Sequence, residues 1–197
     1  VDVRLLAASA AFALVSSITP GPNNLMLASS GLAFGFRRTL PLLLGVQAGF
    51  QCLLLAVAAG LGVVFQRHAE VQWALKLVGA AYLLYLAHGL WRSSSTGSAA
   101  MDRPIGFFKA AAFQVLNPKA WMMCLSAVGA YTLAGAAYWP SVWRLVALFF
   151  VLGLPSITLW AVFGSAFRAA FQNPETARRF GRALAVVTGA SCLLVLL

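Results

Sequence analysis

Residues 18–27 read ITPGPNNLML, inside a run that is otherwise apolar from Leu5 to Phe34. Proline lacks an amide hydrogen and clashes with the carbonyl four residues back, so Pro20 and Pro22 together forbid a continuous helix. In hydrocarbon each unpaired backbone group costs several kcal/mol, so a break at this depth survives only against protein or a water-filled cavity. The stretch therefore predicts a helix that stops in mid-run and turns its exposed backbone inward.

The composition around it is that of a membrane protein. Of 197 residues, 61% are hydrophobic and 9% charged, against roughly a quarter charged in soluble domains. Apolar runs at about 5–33, 40–65, 73–91, 107–130, 143–167 and 183–197 each approach or exceed the ~20 residues a helix needs to cross the hydrocarbon core. Six spans are expected, in an all-α polytopic fold. Arg4 ahead of the first run has the look of a signal peptide. Five further runs and the resumption of apolar character after the break favour a span instead.

A net charge of +10 would suit nucleic acid, but its placement does not. The basic residues sit at the ends of the runs, where they report orientation. With six spans, one side holds Arg4, Arg67, Lys76 and Arg144. The other holds Arg37, Arg38, Arg92, Arg103, Lys109, Arg168, Arg178, Arg179 and Arg182. Nine against four places both termini on the outer, periplasmic side. Lys119 alone is left unassigned to either side, and it falls within the fourth run.

The segment RSSSTGSAAMDRP, residues 92–104, is too small and polar to build a core and reads as a flexible linker. It divides the chain into a first three-helix unit at 1–91, a cytoplasmic linker at 92–105 and a second unit at 106–197. The units resemble each other weakly. Gly49 and Gly60 share an eleven-residue spacing with Gly153 and Gly164, and LVGAAYLLYLA from Leu77 matches VTGASCLLVLL from Val187. The fourth run is also interrupted, at Gln114-Val115-Leu116-Asn117-Pro118-Lys119. Because each unit has an odd number of spans, the second enters the membrane inverted. Helices 1 and 4 are then proline-broken counterparts, the arrangement that marks a transport site in inverted-repeat carriers.

The chemistry of such breaks suits a zwitterion. Half-helix N-termini offer amides to a carboxylate, and C-terminal carbonyls suit an ammonium group. Thr19, Pro20, Gly21, Pro22, Asn23 and Asn24 form the first candidate binding segment, and Asn117, Pro118 and Lys119 the second. The asparagines can also cap the helices that follow them. Lys119 lies ten residues beyond Lys109, or ~15 Å deeper along a helix. It either snorkels back to the inner surface or faces the cavity. Gln47 and Gln51 share a helical face in span two and Tyr82 sits with Tyr85 on span three, and these complete the candidate lining. Helix-to-helix hydrogen bonding competes for the glutamines and aromatic packing for the tyrosines. Gly31–Gly35 and Gly45–Gly49 are both GxxxG and point to close helix approach.

Other chemistries find no support. The acids Asp2, Glu70, Asp102 and Glu175 all lie in loops or near the N-terminus, so no carboxylate is offered inside a span for proton relay, sodium or an aspartate-dyad protease. His68 and His88 read as solvated or interfacial. Cys52, Cys124 and Cys192 lie in different runs without a metal-binding spacing. No catalytic residue, metal site or cofactor is expected, and no enzyme.

The chain resembles the LysE/RhtB family of bacterial amino-acid exporters. The resemblance is carried by TPGPNN at 19–24, GLAFGFRRTLPLLLGVQAG at 31–49, VGAAYLLYLA at 78–87, GF at 106–107 and NPKA at 117–120. The TPGPNN form is similar to the branch that exports cysteine and O-acetylserine. What the resemblance implies is proton-driven efflux of small neutral amino acids across the inner membrane, by an inverted-repeat fold with a capacity to form homodimers. A channel for small solutes is the alternative.

Overall fold

The computed structural model describes residues 2–96, 104–170, 175, 179, 181–183 and 185–190. Every regular element among them is helical. In chain order these are α1 (Val3–Ile18), α2 (Pro22–Phe34), α3 (Phe36–Ala56), α4 (Gly62–Arg67), α5 (Ala69–Thr96), α6 (Phe107–Leu116), α7 (Pro118–Tyr131), α8 (Tyr138–Leu148) and α9 (Leu154–Ala170). Residues 185–190 are helical as well. Among the described residues, two continuous helical stretches are long and apolar enough to cross a membrane, Phe36–Arg67 and Gly135–Phe167. α1 and α2 qualify together as one span bent by 49°. These observations make the chain a multi-pass helical membrane protein.

Both sequence-predicted breaks fall where the prolines put them. α1 ends at Ile18 and α2 begins on Pro22, where a missing amide costs a helix nothing. α6 ends at Leu116 and α7 begins on Pro118. α5 runs on through Arg92 to Thr96, into the stretch that composition reads as the start of the linker. Residues 97–103, with Asp102 and Arg103, lie outside the described residues, as do Arg178 and Cys192.

Two features were absent from the expectation. The long helical stretch that follows each broken pair carries a π-helical turn, Val57–Leu61 between α3 and α4 and Phe149–Gly153 between α8 and α9. Gly60 takes φ +114° within the first, a conformation that favours glycine. The repeat of glycine spacings therefore does not coincide with the repeat of turns, since Gly60 and Gly153 sit in the turns while Gly49 and Gly164 sit in helix contacts. The second GxxxG behaves as predicted: a Cβ at Gly45 would strike the Phe107 carbonyl, and one at Gly49 the Ala111 backbone. In the first, Gly31 packs on Ala161 of α9, whereas Gly35 makes the α2–α3 turn at φ +80°. Gly164 abuts the Ala28 carbonyl, completing a close α2–α9 contact.

The core falls into two apolar clusters. One joins α2, α3, α6 and α9 through Leu27, Leu42, Val46, Phe113 and Ala161. The other joins α1, the end of α3, α7 and α8 through Ala13, Phe50, Leu54, Trp121, Cys124 and Phe149. The first cluster holds the helix that follows break one and the helix that precedes break two; the second holds the complementary pair. The breaks thus lie between two well-packed layers.

Candidate functional site at the two breaks

An interrupted helix leaves its last four carbonyls without intrahelical donors. At the end of α1 all four are met. Val15 accepts from the Thr19 amide (3.1 Å) and Ser16 from the Thr19 hydroxyl (3.0 Å). Ser17 accepts from Asn24 Nδ2 (2.9 Å) and Ile18 from the Trp160 indole of α9 (3.1 Å). Beyond the helix, Thr19 O accepts from Asn24 Nδ2 (2.8 Å). Asn24 is buried, and its amide is the clamp that lets the chain leave α1 and restart as α2.

Lys119 supplies the rest. Its Nζ donates to Thr19 O (2.7 Å), Thr19 Oγ1 (2.9 Å) and Pro20 O (3.3 Å). The lysine of the second break thus faces the first. It does not snorkel along its own helix. Gly21 makes room for it, because a Cβ there would stand 2.7 Å from Lys119 Cδ. Asn23 makes a second bridge between the breaks: its Nδ2 donates to Gln114 Oε1 (2.8 Å), and Gln114 Nε2 donates back to Asn23 Oδ1 (3.0 Å). Gln114 is fully buried and also donates to Ala110 O (3.1 Å).

Break two is closed more locally. Asn117 is a side-chain N-cap, its Oδ1 accepting from the Lys119 amide (3.1 Å). The Trp121 indole donates to Val115 O (2.8 Å). At break one the N-cap of α2 is Gly21, with no side chain to offer, so that N-terminus carries no side-chain cap.

Between the breaks lies a cavity of about 450 Å³, with the open space at its mouth included. Its polar lining is Ser16, Ser17, Asn23, Asn24, Gln47, Asn117 and Lys119, with Gly21 beside them; Val46, Phe50, Met123, Phe149 and Ile157 form apolar walls. Lys119 is the one charged residue in that lining. Of the sequence candidates, Thr19 and Pro20 reach the site through Lys119, while Pro22 and Pro118 set the helix starts. Gln47 lines the cavity and donates to Phe149 O of the π turn (3.2 Å).

Gln51 and Tyr82 are engaged elsewhere. Gln51 donates to Val146 O (3.1 Å), tying α3 to α8, and Tyr82 packs on Phe113 with ring centroids 4.7 Å apart. Sequence reasoning passed over Gln114 and Trp160. Gln114 carried a signal, a polar residue three positions before Asn117 on an apolar helix. Trp160 carried none, since its partner is 142 residues away.

The chain matches the LysE type translocator family over residues 14–196. It is 30% identical, over 93% of its length and 91% of theirs, to the cysteine/O-acetylserine efflux proteins of Salmonella choleraesuis (strain SC-B67) and Salmonella typhimurium (strain LT2). The protein of the same name from Escherichia coli O1:K1 is 29% identical over the same shares. No solved structure matches. The chain belongs to the LysE type translocator family.

Proposed function

We propose that this LysE-type translocator exports small neutral amino acids, of the cysteine and O-acetylserine kind, across the bacterial inner membrane. The carrying observation is the cavity between the two breaks, where the carbonyl end of α1 and the side-chain-uncapped start of α2 meet beside Asn23, Asn24, Asn117 and Lys119. Carbonyls favour an ammonium group and helix-start amides a carboxylate, so a zwitterion finds complementary partners at both ends. The apolar walls suit a short uncharged side chain. The names borne by the efflux relatives support the same substrate class.

The mechanism we propose is alternating access by six spans in two inverted three-helix repeats, with both termini periplasmic. It is supported by the common order in each half: a broken helix, then a helix bearing a π turn. Two apolar clusters flanking the cavity give each side of the membrane a layer that can part while the other stays shut. For coupling we place the exchanged proton on Lys119, the charged group lining the cavity.

Counterflow in proteoliposomes tests this. Labelled O-acetylserine should accumulate transiently against unlabelled substrate inside, and Asn23→Ala should cut the rate at least about tenfold, a change of roughly 1.4 kcal/mol. Lys119→Met should lose accumulation driven by a pH gradient. Flux without trans-stimulation would mean a channel and would overturn the carrier. Unchanged rates in Asn23→Ala at normal expression would remove the site.

A further inference from the structure

We propose that the carbonyl end of α1 is a subsite for primary ammonium groups, which Lys119 occupies as an internal ligand until the α-ammonium of the transported amino acid displaces it. The identity of the displacing group rests on the export reading above; the subsite rests on geometry alone.

A lysine ammonium has three N–H donors and accepts nothing. The end of α1 presents three oxygens to Lys119 Nζ, at 2.7, 2.9 and 3.3 Å. Two are backbone carbonyls released by the break and the third is the Thr19 hydroxyl. Donors and acceptors match in number, so the cage is built for a primary ammonium rather than for a bare positive charge. A quaternary ammonium, with no N–H, satisfies none of the three oxygens.

The occupant arrives from α7, a hundred residues away, through a gap that exists because residue 21 has no Cβ. Lys119 also lines the cavity, so a molecule there meets the side chain that fills the cage; Thr19 and Pro20 are not part of that lining and are reached through Lys119. When the cage is vacated, Thr19 O keeps its bond from Asn24 and the Thr19 hydroxyl its bond to Ser16 O. Two ammonium groups cannot share it, since like charges a few ångströms apart repel strongly where the effective dielectric is low. Substrate binding at this end is therefore an exchange, with one ammonium in and the other out. Amino acids with a free amine qualify, and N-acylated ones do not.

The test uses the full chain in detergent, with n-propylammonium chloride as probe and tetramethylammonium chloride as control. In Lys119→Met the cage is empty, and propylammonium should raise the melting temperature by about 3 °C or more, where about 1 kcal/mol corresponds to ~2–4 °C for a chain of this size. In the wild type, where Lys119 holds the cage, the shift should be several-fold smaller. Tetramethylammonium should shift neither. A monodisperse Lys119→Met with no propylammonium-specific shift overturns the proposal. If that variant does not fold, wild-type counterflow decides: propylammonium should raise the half-saturating substrate concentration without lowering the maximal rate. Equal inhibition by tetramethylammonium overturns the proposal there. A wild type that moves no amino acid would sink the export reading, while a propylammonium shift in Lys119→Met would still establish the subsite.

Discussion

The two breaks use one device, a proline at the first position of a restarted helix, and close it in different ways. Break two loses a single residue from the helix, and Asn117 caps the restart with its own side chain while Trp121 reaches back to Val115. Break one loses Thr19 to Gly21, and its carbonyls are served from α2, α7 and α9 by Asn24, Lys119 and Trp160. The difference follows from the residue before each proline. Asparagine carries its own acceptor to the helix start, whereas glycine carries none and leaves both space and unclaimed backbone polarity. A proline decides that a helix stops; its neighbour decides whether the restart is capped by its own side chain or left uncapped.

Substitutions at the two breaks should separate these roles. The largest effect is expected from Asn24→Leu, which leaves the buried Ser17 carbonyl without its donor and strips one of two from Thr19. An unmet buried acceptor costs about 1–3 kcal/mol, visible as a lower midpoint in detergent unfolding. Asn117→Ala removes one local cap bond and should cost about 1 kcal/mol. Because Lys119 keeps its reach to Thr19, transport should fall less than in Asn23→Ala; a loss as large as that of Asn23→Ala would erase the distinction between the two breaks. Trp160→Phe deletes the bond to Ile18 O and trims the aromatic side chain to a single ring that still packs on its neighbours. Interhelical hydrogen bonds in membranes average about 0.6 kcal/mol, so its midpoint should move least.

Much of this was readable from composition and punctuation. The apolar runs gave an all-helical membrane chain, and the breaks fell at Pro20–Pro22 and Pro118 because proline acts locally, whatever surrounds it. Gly45 and Gly49 were legible as a contact for a similar reason, since a missing Cβ admits a neighbouring backbone whichever helix supplies it. The rest depended on distant partners. Gln47 and Gln51 share a helical face, yet one lines the cavity and donates to Phe149 in the second π turn while the other donates to Val146 of α8. Tyr82 went to aromatic packing with Phe113. The π turns left no mark in the hydrophobic pattern, because an extra residue in one turn does not change which residues are apolar.

What the sequence by itself determined is the solvent and the stops: a chain with so few charges belongs in lipid, and its prolines end helices there. Tertiary structure alone decided what occupies the stops. Lys119 could have run back to the inner surface or turned into the cavity, and both are compatible with its place on α7. It bonds to Thr19 and Pro20 because the fold sets the carbonyl end of α1 within reach of its Nζ. In a medium without water, an ammonium and a row of released carbonyls are each other's best available partners.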